Sequence, residues 1–214
     1  MEVGRRVSVV IPAYNEQARI ADVVREARQV ADEVVVVDDA STDRTADVAE
    51  GAGAVVVRQQ ANRGYIAAIR RGFQAATGDV VVTLDGDGEL PASSVPQLAA
   101  PILEGLADMV QGRRDWIPRP SERFLTWLAG RAGPVGDSGT GMRALRADLA
   151  RQLEIRGRCI CGVLSLEALA HGARLREIPI SLRSVAKPRR IAWYHVPQIW
   201  HVLRAMRVLR SRKP

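Results

Sequence analysis

"VVVTLDGDGELP", residues 80–91, is the stretch on which the reading of this chain turns. Val80–Leu84 is a short, β-branched apolar run, the pattern of a strand buried on both faces. Asp85, Asp87 and Glu89 follow, alternating with Gly86 and Gly88, and Pro91 closes the segment. In an extended segment alternate side chains share a side, so the spacing predicts three clustered carboxylates. Such a cluster repels itself unless a cation sits within it. Hard oxygen donors select Mg²⁺ or Mn²⁺, ions that keep positions for phosphate oxygens. The two glycines allow a tight turn and leave room for a ligand. An acidic surface turn is the plain alternative.

Working outward, the same layout recurs. Val7–Ile11, Glu33–Val37, Ala54–Val57 and Met109–Gln111 also read as strands. Between them, helical spacing runs from Ile20 to Val30, Asp43 to Ala52 (Ser41 or Thr42 as cap), Ile66 to Ala76 (ended by Gly78) and Ser93 to Leu106. The alternation predicts right-handed crossovers and a mostly parallel sheet flanked by helices. Such sheets bind ligands beyond the carboxyl ends of their strands. The polar clusters fall at those ends: PAYNE, DDASTD, DGDGE and GRRD. Four clusters on one rim predict one site.

Bulk properties narrow the class. The chain has 214 residues, 47% of them hydrophobic, which suits one α/β domain with a short appendage. No apolar run is long enough to span a bilayer, and the N-terminal stretch lacks the layout of a signal peptide, so the expected compartment is the cytoplasm. Cys159 and Cys161, one residue apart, are expected to be reduced and structural. The net charge of +7 is concentrated at one end. After Glu177 come nine basic residues and no acidic one; without those nine, 22 basic residues face 24 acidic ones. A basic arm points to an anionic partner.

The ordered series VSVVIPAYNE, EVVVVDDASTDRT and NRGYIAAIRRGFQAATGDVVVTLDGDGELP resembles the donor-binding half of a family 2 glycosyltransferase with the GT-A fold. VQGRRD, DSGTGMRALR and LEALAHGARLREIPI resemble its polyprenyl (dolichyl) phosphate mannose or glucose synthase branch. The resemblance covers roughly residues 6–182 and sets the domain limits at 1–182, with a basic extension at 183–214. It implies that Pro12, Tyr14 and Glu16 cradle base and ribose. Asp38 and Asp39 would contact the nucleoside. Asp85 and Asp87, with Glu89 added, would hold Mg²⁺ or Mn²⁺ on the donor pyrophosphate. Arg183 and Lys187 would supply cations over the diphosphate, although this segment is shorter than the family's and lacks its glycine and serine. Arg113, Arg131, Ser138 and Thr140 are the implied contacts to an acceptor phosphate, with Asp137 ordering their loop. Arg114 is expected to face solvent. Arg143 is either a further phosphate contact or a structural partner for a carboxylate. Glu167 is either a positioning residue or base, or an ordinary helix-surface residue.

The expected function is an inverting hexosyl transfer from GDP-mannose, or second UDP-glucose, to a polyprenyl phosphate. A soluble acceptor is the alternative. A nucleic-acid-binding role is disfavoured by the lack of a groove-reading motif and by the small number of aromatic residues, and a dinucleotide dehydrogenase by the lack of G-x-G-x-x-G after the first strand. Near Pro197 a helix is expected, with Ile199, Val202, Leu203, Met206 and Leu209 on one stripe and arginines mostly off it. That stripe is expected to lie on the cytoplasmic face of a membrane; a helix packed on the domain or on a second subunit is the alternative. The oligomeric state is left open.

Overall fold

The computed structural model describes residues 5–117, 119–157, 159–183 and 195–212. Seven strands form one sheet: β1 (Val7–Ala13), β2 (Glu33–Asp38), β3 (Val55–Arg58), β4 (Val80–Thr83), β5 (Met109–Arg114), β6 (Arg143–Arg146) and β7 (Leu175–Ile180). Their spatial order is β3-β2-β1-β4-β6-β5-β7. All neighbours pair in parallel except β6, which runs antiparallel to both β4 and β5. The helices are α1 (Ile20–Arg28), α2 (Thr45–Gly51), α3 (Tyr65–Ala75), α4 (Val95–Leu103), α5 (Pro120–Gly130), α6 (Ala147–Gln152), α7 (Val163–Ala170) and α8 (His195–Arg212).

Strand alternation divides the core into two layers. Val9, Ile11, Val34, Val36, Val80 and Val82 pack with α1 and α4 residues on one face. Val10, Val35, Val37, Val81 and Leu145 pack with α3, α6, α7 and α8 residues on the other. Both faces of the central strands are therefore dry, which is why they read as unbroken apolar runs.

Two local expectations are corrected. Asp43, not Ser41 or Thr42, serves the start of α2: its Oδ1 accepts from the Thr45 amide at 2.9 Å. Ser41 and Thr42 are committed to Asn15, whose amide donates to Ser41 Oγ and whose Oδ1 accepts from the Thr42 amide. Gly78 does not cap α3, which ends at Ala75. Gly78 instead lets the chain pass Ser8, where an added Cβ would lie 2.7 Å from Ser8 Oγ.

The strands β6 and β7 were not among the five expected. β6 matters most for the site. Because it is antiparallel, with Arg143 opposite Thr83, its preceding loop lies on the same rim as the carboxyl end of β4.

The C-terminal helix forms, beginning at His195, with Pro197 tolerated in its first turn. Its expected stripe does not face outward. Val202, Met206 and Leu209 are buried in the core and Ile199 packs against it, while Leu203 is exposed. The packed-helix alternative describes this stripe. No helix among the described residues is long and apolar enough to cross a membrane.

Candidate active site

The loops after β1 and β2 are laced together by side chains. Besides the Asn15 bonds, the Glu16 amide donates to Thr45 Oγ1 at 2.8 Å, and the Arg44 amide donates to Gln17 Oε1 at 3.0 Å. Asn15 and Ala40 hold positive φ of 56° and 59°, an uncommon conformation for residues with a Cβ. Pro12 is buried, Tyr14 is exposed and Glu16 is partly buried beside Arg19. Sequence-predicted nucleoside contacts thus sit on one cross-braced ledge.

Asp38 and Asp39 are both buried at the end of β2. Asp38 Oδ1 accepts from the Ser41 amide at 3.4 Å. Asp39 is more heavily engaged: it accepts from the Arg63 and Gly64 amides, each at 2.7 Å, and from Gln59 Nε2 at 2.8 Å. It thereby fixes the turn that opens α3. The first residue of that helix, Tyr65, donates its hydroxyl to Asp85 Oδ1 at 2.9 Å. Burial, and then the Asp85 charge, push the Tyr65 hydroxyl well above the ordinary phenol range, so it remains a proton donor. Tyr65 stands at the rim although it is not among the residues expected there from the sequence. Its signal was an aromatic hydroxyl at the same rim as the carboxylates.

Asp85 is clamped from the other side by the loop before β6. An added Cβ at Gly141 would lie 2.6 Å from Asp85 Oδ1 and nearer still to Oδ2. Thr83 Oγ1 donates to the Gly141 carbonyl at 2.8 Å and pins that approach. Arg143 lies fully buried nearby, donating Nη2 to the Ser138 carbonyl at 2.7 Å. Its Nε and Nη1 have no hydrogen-bond partner among the described residues. Burial lowers its guanidinium from the usual value, against the pull of Tyr65, Asp137 and Asp85.

The segment 85–89 is not extended. It turns, with Gly88 at φ 77°, and Asp87 Oδ1 accepts from the Glu89 amide at 3.0 Å. The expected alternation is therefore broken, and no three carboxylates among the described residues bring ligand atoms within 4.8 Å of one another. Asp85, Asp87 and Glu89 do not form one convergent three-carboxylate cage. An Mg²⁺-type site needs only one or two carboxylates, with substrate phosphates supplying the rest. Partly buried Asp85, held by Tyr65 and the Gly141 loop, and partly buried Asp87 in the turn beside it fit that requirement.

Of the two adjacent arginines at the end of β5, only Arg114 departs from its expected place. Arg113 is exposed, whereas Arg114 is partly buried, its side chain 9% exposed. Arg114 pairs with Asp137 at 2.7 Å and with Glu122 at 3.1 Å. Burial alone would raise the Asp137 carboxyl; the Arg114 guanidinium outweighs it and holds it below the usual carboxylate range. Ser138 Oγ bonds Thr126 Oγ1 at 2.9 Å, and Thr140 Oγ1 accepts from the Met142 amide at 3.2 Å. Both hydroxyls are buried and serve the loop itself. Arg131 is exposed, stacked 5.2 Å over the Trp127 ring. Glu167 accepts from the Glu154 and Ile155 amides at 2.5 and 2.9 Å, so its carboxylate holds the loop after α6.

The Arg183 amide donates to the Glu89 carbonyl at 2.8 Å, which puts this residue beside the acidic turn, and its guanidinium pairs with Glu26. Lys187 lies outside the described residues. Cys159 and Cys161 are unbridged and buried, and His195 joins them within 4.8 Å. Its Nδ1 bonds Ser121 Oγ at 2.7 Å and Nε2 lies 3.8 Å from Cys161 Sγ. His195 lies 34 positions from Cys161 and approaches the pair only in space, so no local pattern in the sequence marks it.

A mostly parallel α/β sheet with paired carboxylates on its carboxyl rim, between two braced loops, defines a nucleotide-dependent transferase scaffold. Residues 8–153 match the family profile "Glycosyl transferase family 2", and the chain belongs to that family of glycosyltransferases. Undecaprenyl-phosphate 4-deoxy-4-formamido-L-arabinose transferase of Enterobacter sp. (strain 638) is 36% identical over 166 residues, 68% of this chain and 50% of that protein. The chain thus spans about half the length of that curated relative. Glucosyl-3-phosphoglycerate synthase from Mycobacterium tuberculosis, solved with phosphoglyceric acid, superposes with a TM-score of 0.76 at 25% identity, over 99% of this chain and 81% of that one. The same enzyme with Mn²⁺, UDP-glucose and phosphoglyceric acid gives 0.76 at 24% identity, over 99% and 80% of the two chains.

Proposed function

We propose that this glycosyltransferase moves a hexose from a nucleoside diphosphate sugar to a polyprenyl phosphate, inverting the anomeric carbon. The observation that carries the reading is the clamped Asp85, held by Tyr65 and faced by Gly141, beside Asp87 on the donor rim. In this reading Pro12, Tyr14, Glu16 and Asp38 receive the nucleoside, and Asp39 shapes the turn below it. Asp85 and Asp87 hold Mg²⁺ or Mn²⁺ on the diphosphate, with Glu89 at the edge of the turn. That ion, when bound, neutralises charge developing on the leaving group. Arg183, beside Glu89, supplies a further cation.

An acceptor phosphate is already ionised at neutral pH and needs no strong base. Exposed Arg113, at the end of β5, suits its recognition. The buried Arg114–Asp137–Glu122 network holds the adjoining loop in place. The lipid acceptor is supported by the relative that acts with undecaprenyl phosphate. For the donor, the solved relative carrying UDP-glucose supports a uridine nucleotide ahead of GDP-mannose. That same relative carries a soluble phosphorylated acid, which keeps a soluble acceptor as the second reading.

The test is a donor screen by thermal shift with UDP-glucose and GDP-mannose in Mg²⁺ or Mn²⁺. Labelled sugar transfer to undecaprenyl phosphate and to 3-phosphoglycerate follows. Label in the organic phase supports the reading. Label confined to the aqueous phosphoglycerate product overturns the lipid acceptor, and no transfer from any sugar nucleotide overturns the whole.

A further inference from the structure

We infer that the outer faces of α5 and α8 form one surface that docks on an anionic bilayer and presents the acceptor-side loop to it. The inference rests on the lipid-phosphate reading above but uses different residues. α5 and α8 pack against each other. They run side by side in the same direction: Ser121 meets His195 at their starts, and Ala129 and Val202 both border Gly162 further along.

Each helix has an inner face committed to the protein. In α5 these are Glu122, Leu125, Thr126 and Ala129; in α8 they are His195, Gln198, Val202 and Met206. The opposite faces expose large apolar side chains at helical spacing. Phe124 and Trp127 stack on α5, with Trp127 57% exposed; Val196, Trp200 and Leu203 line α8, with Trp200 58% exposed. A monomer seldom leaves contiguous aromatic surface in water without use.

Charge identifies the occupant. Arg131 sits over Trp127 and Arg204 over Trp200, and Arg123 and Arg207 are exposed on the same two helices. The sole acidic residue of either helix, Glu122, is buried inward on Arg114. Neither helix exposes a carboxylate of its own, so two copies stacked on these faces would set arginine against arginine, which disfavours a symmetric dimer. Tryptophan with arginine beside it suits the headgroup layer of an anionic membrane.

The surface is wired to the site. α5 turns its aromatic residues outward while Thr126 holds Ser138 and Glu122 holds Arg114. The loop so held continues to Gly141, against Asp85. A helix lying in the interface therefore sets the height of the acceptor loop relative to lipid phosphates. This differs from the stripe Val202, Met206 and Leu209, which is buried.

The experiment is co-sedimentation of the full chain with vesicles free of acceptor and donor, of phosphatidylglycerol with phosphatidylcholine and of phosphatidylcholine alone. Binding to the anionic vesicles that weakens with salt is expected, with about a tenfold loss in the Trp127→Ser/Trp200→Ser double variant. Its melting temperature and donor thermal shift should match the parent. Equal binding by parent and double variant overturns the inference, as does a concentration-dependent dimer abolished by the substitutions, or retention on an oligonucleotide without vesicle binding. Because no sugar is transferred in the assay, these outcomes are separate from failure of the lipid-acceptor reading. That failure would be vesicle binding with no transfer to undecaprenyl phosphate.

Discussion

Tyr65 and Asp85, twenty positions apart, meet through a 2.9 Å hydrogen bond in which the phenol donates to the carboxylate just beyond the carboxyl end of β4. The bond ends a chain of placement: Asp39 fixes the Arg63 and Gly64 amides, these open α3, and α3 delivers the hydroxyl. Tyr65→Phe removes one hydrogen bond to a charged group and leaves the ring to pack. Transfer should fall roughly 10- to 100-fold, as expected for about 1.5–3 kcal/mol, with melting little changed. Because the hydroxyl is held above the ordinary phenol range, it should produce no loss of wild-type activity between pH 6 and about 9. Unchanged transfer by the phenylalanine variant would remove Tyr65 from the site.

Asp87→Ala tests the metal more directly. The expected outcome is loss of transfer and loss of the Mn²⁺-dependent thermal shift given by the sugar nucleotide, with the apo protein melting as before. Full activity in EDTA, or in the variant, would refute the assignment.

Gly141→Ala tests the close approach across the rim. The new methyl would lie 2.6 Å from Asp85 Oδ1, and Thr83 restrains the loop from retreating. Asp85 must then shift, so metal-dependent donor binding should weaken at least about tenfold, while binding of phosphatidylglycerol vesicles is unaffected. A parent-like donor affinity would mean that Asp85 is free to move without consequence.

These tests also mark where the sequence was readable. β1, β2 and β4 and their polar ends were legible because strands buried on both faces are apolar throughout, so Asp38, Asp85 and Glu16 stand out as rim residues; β3, at the sheet edge with Val55 exposed, showed only as a valine run. β6 was not legible: RALR is four residues long with an arginine at each end, and Arg143 looks like a surface residue although it is fully buried. The expectation that Arg114 faces solvent is a phase error. In a strand, slipping by one residue turns every side chain to the other face, and two adjacent arginines give no cue to the phase. Tyr65 and His195 act through contacts with segments distant in sequence, which no local pattern carries.

Away from the site, Asp108 braces the start of β5. The Arg174 guanidinium bonded to it, aided by Arg146, holds its carboxyl at about 2, below the ordinary 3.8. A depressed folded-state value means stability that is present above the ordinary value and lost as pH falls through the folded one. Asp108→Asn should cost roughly 1–2 kcal/mol at pH 7, allowing for screening at the exposed arginines, and the gap from wild type should close between about pH 4 and pH 2. Urea midpoints across that range measure it; a pH-independent gap would assign the loss to packing instead.

Glu167 separates a chemical role from a structural one. Its two oxygens accept from the Glu154 and Ile155 amides, and Ile155 holds a positive φ of 33° in the loop so fixed. A carboxylate engaged in two backbone bonds is poorly placed to take a proton from an acceptor. Glu167→Gln keeps one accepting oxygen but turns an amide NH₂ toward a backbone N–H, leaving two donors face to face. The cost should be about 1–2 kcal/mol, or roughly 2–8 °C in melting temperature for a chain of this size. Turnover at a temperature well below melting should stay within about threefold of wild type, with an unchanged pH profile. A base would show the reverse: normal melting, a collapse in kcat, and loss of the acidic limb of the profile. Measuring melting and the pH dependence of kcat on the same preparation distinguishes the two, and the second pattern would return Glu167 to the catalytic machinery.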